Sequence, residues 1–176
     1  DVWGLDAAVR LPGGQLRAGQ RLELEAGHAE ITFDSGARVV LAGAAVLELN
    51  SAWDASLRGG TLTASVPREA IGFRISNSAV EVVDLGTEFS MVANANGSAD
   101  VFVLKGEVEA AARAAGSDEV ILLRENESRR FEASGAMSII DGEQTRARLG
   151  LPVEMPRLAR ALHGVRWSFD EADGAR

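Results

Sequence analysis

The sequence predicts an all-β domain, two repeated β-units closing into a sandwich-like or short solenoid-like core, and three observations point there. From Leu16 onward, apolar runs of about five to seven residues alternate with Gly, Asn, Asp, Ser or Pro at roughly the 8 to 12 residue spacing of β folds. Several runs alternate residue by residue: Leu22 and Leu24 against Arg21, Glu23 and Glu25, or Phe73 and Ile75 against Arg74. A period of two turns one face to a core and the other to water. Third, a strand-turn-strand pattern recurs. Val80 to Val92 reads VEVVDLGTEFSMV and Ala29 to Leu41 reads AEITFDSGARVVL, so that Asp34 and Gly36 match Asp84 and Gly86.

In chain order, a weak strand around Trp3 precedes the breaker pair Gly13-Gly14. Strands are then expected at Arg21 to Glu25, Ala29 to Phe33, Arg38 to Leu41, Ala45 to Leu49, Ala55 to Leu57, Thr61 to Val66, Gly72 to Ser76 and Val80 to Val83. The series continues with Glu88 to Ala93, Val101 to Leu104, Glu107 to Ala111, Val120 to Arg124, Ser128 to Glu132 and Met137 to Ile140. Val101 to Leu104 and Val120 to Leu123 are apolar on both faces, which predicts interior strands or strands covered by the tail. Glycine turns at Gly59-Gly60 and Gly106 complete two copies, Ala29 to Val66 and Ala79 to Ala111, joined by Pro67 to Asn77. Two copies are too few for an open array, hence a closed core.

After Gly142 the texture changes. Residues 143–149 and 156–163 carry helix formers, with Pro156 suited to a first helical position and Leu158, Ala159 and Leu162 on one stripe. The expected organisation is a β-domain over residues 1–142, a helical appendage on the core over 143–164, and the start of a following domain or linker over 165–176.

A net charge of −8 and only one lysine among eighteen basic residues argue against nucleic-acid binding, which needs clustered cations on phosphates. Without cysteine there are no disulfides, thiolate metal sites or cysteine nucleophile. No apolar run approaches the roughly 18 residues that span a bilayer. Starting at Asp1 without Met, the chain reads as a fragment or a processed product, with any signal or anchor outside it.

Catalytic chemistry would need a nucleophile with its base, paired carboxylates in a cleft or a metal cluster. His28 and His163 are far apart in the pattern, and Ser56, Ser65 and Ser90 have no neighbouring His. Asp34 and Asp84 precede turn glycines, where a carboxylate accepts backbone N–H groups; the weaker alternative is a calcium or ligand contact, with Glu88 beside Asp84. Trp53, among polar residues in a predicted loop, is either a loop anchor or a platform for a sugar. No enzyme, cofactor or metal is expected.

The run from Leu16 to Pro67, followed by GFRI, VVDLGTEF and VFVLKGEVE, resembles the periplasmic FecR-type domain, especially the version in large surface-associated proteins of planctomycete-like bacteria. The resemblance covers about Leu16 to Phe131. Its most specific pieces are Asp84-Leu85-Gly86-Thr87-Glu88-Phe89, Gly72-Phe73 and Gly106-Glu107-Val108. Two departures stand out: Ser76-Asn77 replaces the frequent Thr-Pro, and Asn126 stands near a usual Gly, where it can supply the same left-handed conformation. The run WSFDE from Trp167 resembles the entry strand of laminin-G-like domains. The family's small mixed α/β signalling subdomain is missing, so docking on an outer-membrane transporter does not carry over directly.

The resemblance implies an envelope regulator: a periplasmic or cell-surface sensor domain, joined through a membrane anchor absent here to a cytoplasmic region acting on a sigma factor. An envelope protein, such as an outer-membrane receptor domain, is the implied partner. The alternative is a structural or carbohydrate-binding module of a bacterial cell-surface protein.

Overall fold

The computed structural model describes residues 2–5, 15–16, 18–114, 116, 119–142, 144 and 166–169. In chain order the strands are β1 (Val2–Leu5), β2 (Gln15–Leu16), β3 (Arg21–Leu24), β4 (His28–Phe33), β5 (Arg38–Ser51), β6 (Asp54–Ser65), β7 (Arg74–Ser76) and β8 (Val80–Asp84). They continue with β9 (Glu88–Ala93), β10 (Ala99–Lys105), β11 (Glu107–Ala112), β12 (Val120–Arg124), β13 (Ser128–Phe131), β14 (Met137–Ile139) and β15 (Arg166–Phe169). A 3-10 turn, Arg68–Ala70, lies between β6 and β7.

Two long strands organise the rest. The first half of β5, residues 38–42, pairs with β4 and with Thr61–Ser65 of β6, whereas its second half pairs with β3 and with the start of β6. One continuous sheet therefore folds over at the middle of β5 and β6 into two layers. Layer A runs β14-β13-β10-β9-β6-β5-β4-β15-β2, and layer B runs β12-β11-β8-β7-β6-β5-β3-β1. The closed, sandwich-like all-β architecture is the predicted one.

Where the sequence suggested four short strands, 38–41, 45–49, 55–57 and 61–66, the chain makes two. Glycine bends these strands without ending them. Gly60 sits at φ +91°, and a Cβ there would run into Ala44 O and lie 2.6 Å from Ala45 Cα, so the two bends nest only because position 60 has no side chain.

The period-two pattern fills the space between layers. Ile31, Leu41, Leu62, Met91 and Val101 point inward from layer A, and Leu22, Leu47, Leu57, Ile75 and Val82 from layer B, into one buried cluster. Phe33 and Phe73 close one end edge to face, with ring centroids 4.7 Å apart, worth about 1 kcal/mol beyond the area they bury.

The two strands predicted to be interior or covered by the tail diverge, and the tail itself falls largely outside the described residues. Val101, Phe102 and Val103 are buried, but β12 is the outermost strand of layer B among the described residues and exposes Val120 by 58% and Leu122 by 39%. Apolarity on both faces does not separate a central strand from an unprotected edge. Asn126 is the one non-glycine at positive φ among the described residues, 68°, in the turn before β13. The helices expected over 143–149 and 156–163 fall almost entirely outside the described residues. Arg166–Phe169 pairs in parallel with β4.

Candidate functional site

The residues singled out in the sequence converge on one end of the sandwich, where the chain passes from layer B to layer A between β8 and β9. These strands do not pair with each other: β8 pairs with β7 and β11, and β9 with β6 and β10. Asp84 continues the inward row of Val80 and Val82, so its carboxylate points into the interior and is fully buried. One oxygen accepts the Gly86 N–H at 2.6 Å and the Thr87 N–H at 2.8 Å; the other accepts the Thr87 hydroxyl. The corner is thus tied by its first residue.

Its neighbours are built around it. Gly72 N–H donates to Asp84 O and Asp84 N–H to Phe73 O, both at 2.9 Å, while Val66 N–H reaches Thr87 O at 2.8 Å. Leu85 N–H donates to Glu107 O, bringing the β10–β11 crossing alongside. A Cβ at Gly106 would strike the Thr87 side chain, so only glycine lets the two crossings touch. Phe89 enters the core, Leu85 is exposed, and Glu88 stands half-buried in register with Ser65 and Lys105.

The matching pair Asp34 and Gly36 does something else. There Phe33 N–H donates to Ala37 O and Gly36 N–H to Phe33 O, a tight hairpin joining two strands that do pair. Asp34 is exposed. The same letters therefore make a hairpin in one copy and an inter-layer corner in the other. Trp53 lies in the β5–β6 turn, 39% exposed, its N–H bonded to Ser51 Oγ and its carbonyl to Arg74 N–H.

Burial pushes the Asp84 carboxyl up from 3.8 to about 6, against the opposing pull of the Thr87 hydroxyl and the Gly86 and Thr87 amides. Both of its oxygens are engaged by their own turn. Ser90 is buried and shares a 2.8 Å hydrogen bond with Thr63 Oγ1, and His28 is exposed at the start of β4; His163 lies outside the described residues. Among the described residues no group of His, Asp or Glu is arranged to hold a metal ion. What this end does is fix the geometry of two layer crossings.

The feature that sequence reasoning missed is the β12 edge. Ala112 N–H donates to Glu119 O, and antiparallel alternation then turns the N–H and C=O of Val120, Leu122 and Arg124 away from β11. Arg124 N–H is taken by Glu127 Oε2 at 2.8 Å and Arg124 O by Glu127 N–H at 2.9 Å. On that side of Val120 and Leu122 no strand is present among the described residues. The absence of Pro, Gly and Lys from VILLR was the available signal, because natural edges usually carry such protection.

The fold is all-β, and the residues of the Asp84 corner hold two layer crossings together. The family described as FecR protein matches residues 17–109, more than half of the chain, and the chain belongs to that family, a regulatory and non-enzymatic one. Two crystal structures of a protein assigned as an anti-sigma factor from Parabacteroides distasonis share the fold. At 1.65 Å resolution the TM-score is 0.59 and at 2.50 Å it is 0.58, each with 21% identity over 74% of this chain and 64% of theirs. This chain thus spans just under two thirds of their length. No curated protein matches it. Among the described residues no helix is long and apolar enough to cross a membrane.

Proposed function

We propose that the chain is the extracytoplasmic signal-receiving module of a membrane-anchored regulator, and that it works by adding a strand from another envelope protein to β12. The carrying observation is the edge itself: outward backbone groups at Val120 and Leu122, beneath two exposed apolar side chains, in a domain of the FecR family. Main-chain bonds supply affinity in this mode, and alternate side chains supply selectivity. A sigma factor is reached only through a cytoplasmic region of the parent protein, and the membrane only through an anchor outside this chain. The domain is followed, in this reading, by a laminin-G-like domain, as in the planctomycete-like version of the family.

Leu122→Pro tests the edge. The substitution removes an outward N–H that an added strand needs, while the β11–β12 bonds made at Ile121 and Leu123 remain. Expected is an unchanged fold with loss of the regulated response in cells; a full response from a folded Leu122→Pro protein refutes the mode. The exposed indole of Trp53 favours a second reading, a carbohydrate-binding cell-surface module. Glycan binding that disappears in Trp53→Ala and survives in Leu122→Pro selects it.

A further inference from the structure

At the side of the sandwich that ends in β12, layer A reaches one strand further than layer B. Short turns carry the chain from β8 to β9, from β10 to β11 and from β12 to β13, so these strands face each other in pairs across the core. β14 lies beyond β13, and among the described residues no strand of layer B stands over it. Cross-strand neighbours share a face of the sheet. The rows Val101, Arg129, Ile139 and Ala99, Phe131, Met137 therefore turn Met137 and Ile139 toward the space between the layers. There Phe131 is fully buried and Met137 packs against the core, but Ile139 is 78% exposed. An inward isoleucine stays wet because layer B stops, among the described residues, at β12. After β14 the chain turns to the opposite face, where Ser128 Oγ donates to Ile140 O at 2.8 Å and Gly142 lies against the Phe102 ring.

We propose that the place beside β12 and above β14 is a slot for one extended segment of a partner protein, apolar at alternate positions and bearing a carboxylate in the same series. The inference rests on strand addition at β12 and names what the added strand must be. Packed sheets lie about 10 Å apart, so a strand bonded to Val120 and Leu122 sets every second side chain down on Met137 and Ile139. Its other side chains continue the exposed apolar pair of Val120 and Leu122 on the outer side. The carboxylate follows from Arg129, half-buried and facing the same space. Its guanidinium donates to Ser128 O at 3.3 Å and forms no ion pair among the described residues. A guanidinium bonds a carboxylate about twice as strongly as a neutral acceptor. The floor of the slot is one strand wide, which suits a single segment rather than the edge of a second sandwich.

A phage-displayed library of random decapeptides, selected on the intact chain, is the probe. Selected peptides should share apolar residues at alternate positions with an Asp or Glu in the same series. They should bind Ile139→Glu at least about 10-fold more weakly than wild type, and Arg129→Gln should keep the apolar preference while losing that for the acid. Because Ile139 is exposed, Ile139→Glu and the milder Ile139→Thr should both melt as wild type does, and Thr should weaken binding in the same direction. Peptides that fail on Leu122→Pro yet bind both Ile139 variants as tightly as wild type overturn the slot and leave strand addition standing. Binding that survives Leu122→Pro overturns strand addition, and the slot with it. A selection that yields no binder, or binders without the alternating pattern and the acid, overturns the proposal as well.

Discussion

Replacing Asp84 by Asn and by Ala separates what its charge costs from what its hydrogen bonds contribute. A carboxyl lifted from 3.8 to about 6 by burial is easier to protonate in the folded than in the unfolded chain. The folded state therefore gains relative stability as pH falls through about 6, and loses it as pH rises from about 4. The full difference is roughly 3 kcal/mol. Asparagine keeps an oxygen for the Gly86 and Thr87 amides but has no charge to desolvate. Comparing wild type with Asp84→Asn cancels the titration of every other carboxylate. Urea unfolding followed by tryptophan fluorescence should show Asp84→Asn gaining about 3 kcal/mol on wild type between pH 4 and pH 7.5, about 1 to 2 M in midpoint. Asp84→Ala leaves two amides and the Thr87 hydroxyl without an acceptor, at about 1–3 kcal/mol each, and should be the less stable variant throughout. The reasoning fails if the gap between wild type and Asp84→Asn is flat with pH. It fails too if wild type gains as pH rises, for then the three donors outweigh burial.

Other substitutions test the packing. Gly60→Ala should cost about 3 kcal/mol or more, because its Cβ would meet the β5 bend, whereas Gly59→Ala, with open space around it, should cost under about 1 kcal/mol; thermal melts distinguish them. At Asn126, φ 68°, Gly should be neutral or stabilising and Ala should cost about 1 kcal/mol. Arg130 grips the buried Asp100 through two bonds of 2.7 and 2.9 Å, so Arg130→Ala should lose about 2–4 kcal/mol. Lysine, lacking the fork, should recover only part of that loss.

Alternation and punctuation made most of this fold legible, since inward and outward positions along β3, β4 and β9 follow directly from the period of two. The corner residues Asp84 and Gly86 were legible as a turn, whereas Thr87, which reads as the restart of a strand, belongs to the corner. What no local pattern held was which strands pair. Asp34-Ser35-Gly36 and Asp84-Leu85-Gly86 look alike, yet one closes a hairpin and the other joins two layers, because pairing is decided by distant strands competing for each edge. The bends of β5 and β6 were hidden for a related reason: a glycine that ends a strand and one that bends it read the same until the neighbouring strand is known. The place of β12 was not legible because apolar side chains on both faces suit a central strand and an outer one equally well.

Amide hydrogen exchange along Val120–Arg124, with and without the envelope protein that elicits the response, tests the central claim most directly. In the free chain the outward amides of Val120 and Leu122 should exchange freely while Ile121 and Leu123, bonded to β11, are slow; the partner should protect the outward pair. Exchange at those two amides unaltered by a partner that binds would contradict strand addition at β12.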